Sequence, residues 1–103
     1  MLENILLDGN YNPKIYMLFL SRINMNNLQD ISGNRIYKAP EIINKQPYDG
    51  KIADIFSLGQ ILFNIVTDCN GFFSAKPNDR FYSHIVEQNI EKYWEEIYYY
   101  NFL

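Results

Sequence analysis

The chain has 103 residues, enough for one small domain that could bury roughly two-thirds of its unfolded surface around a single core. Its 48% hydrophobic and 17% aromatic content excludes a disordered chain. The formal charge of −3 comes without a run of Lys or Arg, which argues against a nucleic-acid partner, and no apolar stretch approaches the ~20 residues that span a bilayer.

Met1 is followed by Glu3 and Asp8 with no basic region, so no secretory signal is expected. The lone Cys69 cannot form an internal disulfide, which fits an intracellular, cytoplasmic compartment. From the start, Leu2–Leu7 reads as a short strand, and Asp8-Gly9-Asn10-Tyr11-Asn12-Pro13 holds the turn residues that would return the chain into Lys14-Ile15 as a hairpin. A five-residue apolar tract, Tyr16–Leu20, follows. Arg22 to Arg35 contains four asparagines and Ser32-Gly33 without a clean period, and reads as a long surface loop.

Pro40 pushes Ala39 out of the α region and suits a first helical turn, so a short helix is expected over Pro40–Asn44. The most strongly patterned helix spans Ala53–Val66, where Asp54, Ser57, Gln60 and Asn64 fall on one narrow polar stripe. The broad apolar remainder predicts a helix buried on most sides. Thr67–Asn78 is a loop broken by Gly71 and Pro77, and Asp79 is placed to cap a helix bearing Phe81, Ile85 and Val86. A last helix is expected around Ile90–Ile97 with Tyr93 and Trp94, and residues 98–103 read as an aromatic tail with nothing to pack on. The fold class is therefore mainly α with a short N-terminal β-hairpin.

Three stretches resemble protein kinase motifs in their family order. "LENILLDGNYNPKI" is similar to the end of the H-R-D-L-K-P-E-N catalytic loop and the hairpin after it. "GNRIYKAPEI", Gly33–Ile42, resembles the G-T-x-x-Y-x-A-P-E stretch that closes the activation segment. "YDGKIADIFSLGQILFNIVT", Tyr48–Thr67, resembles the D-x-W-S-x-G helix of the C-terminal lobe. The resemblance is to eukaryotic-type serine/threonine kinases. It implies a partial C-lobe of an α+β fold over residues 1–97, with 98–103 as a tail and the N-lobe absent.

Against that frame the tract K-I-x-D-F-G-L-S reads Lys14-Ile15-Tyr16-Met17-Leu18-Phe19-Leu20-Ser21. Met17 stands at the position of the metal-binding Asp, Leu18 at the Phe and Phe19 at the Gly. Magnesium takes oxygen ligands in near-octahedral geometry, and a thioether supplies none. Met1 matches the Lys of H-R-D-L-K, so the aspartate that orients a substrate hydroxyl would fall upstream of Met1, and no catalytic residue is assigned. The glycine-rich loop and the phosphate-gripping lysine belong to the N-lobe.

Asn4 matches the asparagine that ligates a second magnesium and is the sole cofactor and metal candidate, with a strand-edge Asn satisfying nearby backbone as its alternative. ATP and Mg are cofactors by resemblance, and this chain is expected not to bind them. Asn34 replaces the usual Thr.

The resemblance also pairs Asp54 with the backbone of the H-R-D turn and Glu41 with an arginine far downstream, and neither partner is in this sequence. A buried carboxylate stripped of its donors costs several kcal/mol, so the isolated chain is expected to be marginal or molten unless a partner completes its core. An ordinary helix N-cap is the alternative for Asp54. His84 lacks a second ligand at metal spacing and reads as a surface or half-buried residue. Ser21 and Ser32 are candidate phosphorylation sites without the family's pocket arginine, and Trp94 with the neighbouring tyrosines is a candidate docking surface.

The functional expectation is a kinase-domain fragment related to enzymes that transfer the ATP γ-phosphoryl group to protein Ser or Thr, inactive as this chain. The alternative is a pseudokinase-like module that binds a protein partner and has no enzymatic role. An active enzyme completed by an adjoining N-terminal half is a third reading, and Met17 opposes it.

Overall fold

The structure is a computed structural model, and it describes residues 5–15, 28 and 34–103. Six elements follow in order: β1 (Ile5–Leu7), β2 (Pro13–Ile15), α1 (Pro40–Ile43), α2 (Gly50–Thr67), α3 (Tyr82–Val86) and α4 (Ile90–Phe102). This is the expected mainly helical chain with an N-terminal hairpin.

The strands pair antiparallel in the register Ile5↔Ile15, Leu6↔Lys14, Leu7↔Pro13. Asp8 organises the turn between them. Its carboxylate accepts the backbone N–H of Asn10 at 2.8 Å and of Asn12 at 2.9 Å, and the Asn12 side-chain amide at 3.1 Å. These donors, Asn12 first, hold the Asp8 carboxyl below its usual range. Tyr11, with φ 63°, takes the left-handed position although Gly9 and Asn10 stand beside it.

Ala39 is extended at ψ 153° ahead of Pro40 and completely buried. α1 closes in a Schellman arrangement: Lys45 takes φ 56°, its N–H bonds to Ile42 O, and the Gln46 N–H bonds to Glu41 O. α2 starts one turn earlier than its apolar pattern suggests. The Asp49 side chain accepts from the Lys51 N–H at 2.9 Å, so Asp49 and not Asp54 is the N-cap. At the other end Asp68 is left-handed and its N–H reaches Asn64 O.

The expectation that α2 is buried on most sides is reversed. Its buried residues are Ala53, Ser57, Gln60 and Ile61, on the side of the polar stripe. Ile52, Ile55, Leu58, Leu62, Ile65 and Val66 are all more than half exposed. Gly59 belongs to this open side, and a Cβ built there would meet nothing within 4 Å.

The core gathers instead at the C-terminal end, from Cys69, Phe72, Ala75, Phe81, Tyr93 and Ile97, with Ile43, Phe56, Phe63, Tyr82 and Ile85 packed against it. Asp79 folds the loop that supplies it. One carboxylate oxygen accepts the N–H of Phe73 and Ser74, and the other accepts those of Phe81 and Tyr82. This is the expected cap, with the loop's own backbone tied to the same side chain. Gly71 leaves little space for a side chain: an added Cβ would lie 2.9 Å from Gln60 Oε1 and 3.0 Å from Tyr93 Oη, and both polar ends would have to shift.

α4 is capped by Asn89, whose side chain accepts from the Lys92 N–H, and it runs past Ile97 to Phe102. The aromatic end is not without a place to pack. Tyr100 meets Phe73 and Phe81 edge-on at 5.7 and 5.3 Å, and the Arg80 guanidinium lies 5.4 Å from the rings of both Phe81 and Tyr100. Arg80 also binds Glu96 at 2.7 Å, which holds the Glu96 carboxyl below its usual range.

Candidate functional site

The stretch Ile36–Pro40 has little regular structure, so its carbonyls need donors from elsewhere. α2 supplies them. The Ser57 hydroxyl donates to Tyr37 O at 2.7 Å, and Gln60 Nε2 donates to Ile36 O and Phe72 O, both at 3.4 Å. Two buried polar side chains one turn apart thereby fasten the stretch to the helix, and Gln60 joins it to the loop that feeds the core. Asn34 begins the same stretch by accepting the Ile36 N–H on its side chain, a local turn. The bridge between Leu28 and Tyr48 ties the chain entering α2 to the segment upstream.

Beside this platform lies a cleft of about 160 Å³ between α1 and the loop after α2, lined by Arg35, Lys38, Lys45 and Lys76 together with Ile43 and Ser74. An apolar groove of about 310 Å³ opens at the end of α2, among Val66, Cys69, Trp94, Ile97, Tyr98 and Phe102. Trp94 stacks on Phe63 at 5.7 Å and is half exposed. Tyr93 is buried, donates its hydroxyl to Gly71 O at 2.9 Å, and has its pKa pushed up to about 12, first by burial.

The matched positions separate into those described and those not. Asn4, Met17, Ser21 and Ser32 lie outside the described residues. Asp54 is exposed in the second turn of α2, so the burial cost expected of it does not arise there. Glu41 is half-buried in the first turn of α1, and its charge adds to burial in raising the Tyr82 pKa. Arg80, the nearest arginine downstream of Glu41, is bound to Glu96. His84 is half-buried on α3 with its Nδ1 buried and without a hydrogen-bond partner among the described residues. Among those residues no three His, Cys, Asp or Glu side chains group closely enough to hold a metal ion. By the family resemblance, the nucleotide-metal position would carry one amide, Asn4, and one thioether, Met17, a donor set that does not suit magnesium.

Sequence reasoning missed the roles of Ser57 and Gln60 and the meeting of four cations in one cleft. The first was signalled by the polar stripe. The second joins positions up to 41 residues apart, from Arg35 to Lys76, and has no local signature.

No helix among the described residues is long and apolar enough to cross a membrane. Comparison with known proteins places these features in a family. NUAK family SNF1-like kinase 1 of Homo sapiens is 43% identical over 67 residues, covering 63% of this chain and 10% of that protein. NUAK family SNF1-like kinase 2 of Homo sapiens is 45% identical over 67 residues, 63% of this chain and 11% of that protein. CBL-interacting serine/threonine-protein kinase 17 of Arabidopsis thaliana is 38% identical over 79 residues, 72% of this chain and 18% of that protein. The chain thus spans less than a fifth of the length of these relatives. The sequence profile of the protein kinase domain matches residues 2–101, nearly the whole chain, and with the hairpin, the Ala-Pro-Glu turn and the long central helix in their family order, this chain belongs to the protein kinase family.

Proposed function

We propose that this chain is a serine/threonine-type kinase C-lobe that does not transfer phosphate by itself. The observation that carries the proposal is Met17 at the position of the metal-binding aspartate. The family reaction moves the γ-phosphoryl group of ATP to a hydroxyl and relies on divalent metal to neutralise the charge that develops on the phosphate oxygens. Asn4 alone offers a neutral amide oxygen, while magnesium is normally held by carboxylates together with phosphates. The test is transfer of labelled γ-phosphate from ATP to a mixed Ser/Thr peptide pool by the purified chain, alongside its melting temperature with and without magnesium-ATP. No incorporation above a heat-killed control and no shift in melting are expected. Saturable incorporation, or a clear stabilising shift, would overturn the proposal.

A second reading, a pseudokinase-like module retained to bind a protein, is favoured by the platform. Ser57 and Gln60 still hold the Ile36–Pro40 stretch against α2, although Met17 stands at the metal-binding position. A cytoplasmic location belongs to the same reading, supported by a sequence with one cysteine, Cys69, which is buried.

A further inference from the structure

Arg35, Lys38, Lys45 and Lys76 bring four of the nine Lys and Arg residues of this chain to a single cleft, and no carboxylate lines it. In a chain with twelve Asp and Glu residues, such a gathering of like charge opposes itself unless an anion relieves it. Arg35, Lys45 and Lys76 form no salt bridge with a described residue, whereas Arg80 and Lys92 do; Lys38 has an interaction of its own within the protein. Lys45 holds its place through a left-handed backbone, a position that glycine would fill with less strain.

An independent observation comes from Ser74. It lines the cleft, is only 9% exposed, and gives its backbone N–H to Asp79 Oδ2. A serine hydroxyl on the wall of a cationic cleft adds a donor for a ligand oxygen.

We infer that this cleft is an oxyanion site that takes a phosphate group. A phosphate presents several acceptor oxygens and up to two negative charges, which matches several cationic donors plus one hydroxyl better than a single carboxylate does. The cleft, about 160 Å³ and open to solvent on one side, accommodates a phosphate group. Ile43 on its wall would flank an apolar stem. The inference does not depend on whether the chain transfers phosphate. The phosphate can come from a phosphorylated side chain of another protein or from the free ion.

The test titrates the full chain, at constant ionic strength set with chloride, with inorganic phosphate, with a short phosphoserine peptide, and with the same peptide carrying serine. Saturable binding of phosphate and of the phosphopeptide, and none of the serine peptide, is expected. Tighter binding of the phosphopeptide assigns the source to a protein side chain, and equal binding assigns it to the free ion. Lys45→Gln and Lys76→Gln are each expected to weaken binding by about tenfold, the loss of one charge-assisted hydrogen bond. Ser74→Ala weakens it less. Lys51→Gln, exposed on α2 away from the cleft, leaves it unchanged. Lys45 and Lys76 are both exposed, so their replacement spares the core, and far-UV circular dichroism of the same samples checks this. Absence of saturable phosphate binding, or an equal loss in Lys51→Gln and Lys76→Gln, would overturn the assignment.

Discussion

On one face of α2, Ala53, Ser57, Gln60 and Ile61 are buried; on the other, Ile52, Ile55, Leu58, Leu62 and Ile65 are 57–67% exposed. Hydrophobicity alone would orient the helix the opposite way. The observed choice follows from what lies against each face. The inner face meets irregular backbone at Ile36, Tyr37 and Phe72, whose carbonyls require donors, and Ser57 and Gln60 provide them. The outer face meets nothing among the described residues that would take apolar side chains out of water. A contiguous exposed apolar surface of this kind marks an interaction face, or a liability to self-associate.

The sharpest way to break the comparison is to truncate one large side chain on each side of it. Phe81, 1% exposed in the core, is expected to lose about 3–5 kcal/mol on replacement by Ala, enough to abolish a cooperative melt in a domain whose total stability is about 5–15 kcal/mol. Leu62→Ala on the open face is expected to change stability by no more than about 0.5 kcal/mol. Urea unfolding followed by circular dichroism measures both, and equal losses would mean that the open face is covered in solution.

The inner face is probed by Ser57→Ala, which leaves the Tyr37 carbonyl without its 2.7 Å donor and is expected to cost about 1–2 kcal/mol. A neutral result would show that the polar stripe is incidental to the fold. Gly59→Ala sharpens the contrast in the other direction. With open space around it and helical backbone on both sides, alanine is expected to stabilise the chain by about 0.5–1 kcal/mol. Destabilisation would reveal close packing against that face.

A further contrast is a pH dependence, which leaves stability near neutral pH untouched. The Tyr93 pKa is raised from 10.0 to about 12, so between these values the folded chain keeps a proton that the unfolded chain loses. Its contribution is complete below pH 10 and disappears as pH rises toward 12. Tyr93→Phe is expected to flatten stability over that window, read from denaturant midpoints at successive pH values. Asp8 has the opposite sign: its lowered pKa makes a contribution that is present above its ordinary value of 3.8 and lost as acid protonates it.

Much of the fold is legible in the residues because its signals are local. Asp8 to Pro13 contains the side-chain acceptor and turn formers that close the hairpin, and Pro40 at N1 starts α1. Asp79 lies two to three residues ahead of the N–H groups it caps on the way into α3. The start of α2 is missed because Asp49-Gly50-Lys51 is polar and its cap lies outside the apolar repeat. The end of α4 is missed because Tyr100 is held by Phe73, Phe81 and Arg80, 19 to 27 residues away, contacts with no local pattern. The platform is half legible: its polar stripe is visible, and its partners are not.

The amino-acid order by itself determined the family, through three motifs in register. It also set the elements whose caps and turns lie within a few residues. Only the tertiary structure decided which side of α2 turns inward, because burial there follows the unpaired carbonyls of a distant loop. It alone brought Arg35, Lys45 and Lys76 to one cleft with Ser74, since residues this far apart in sequence meet only when the chain folds them together.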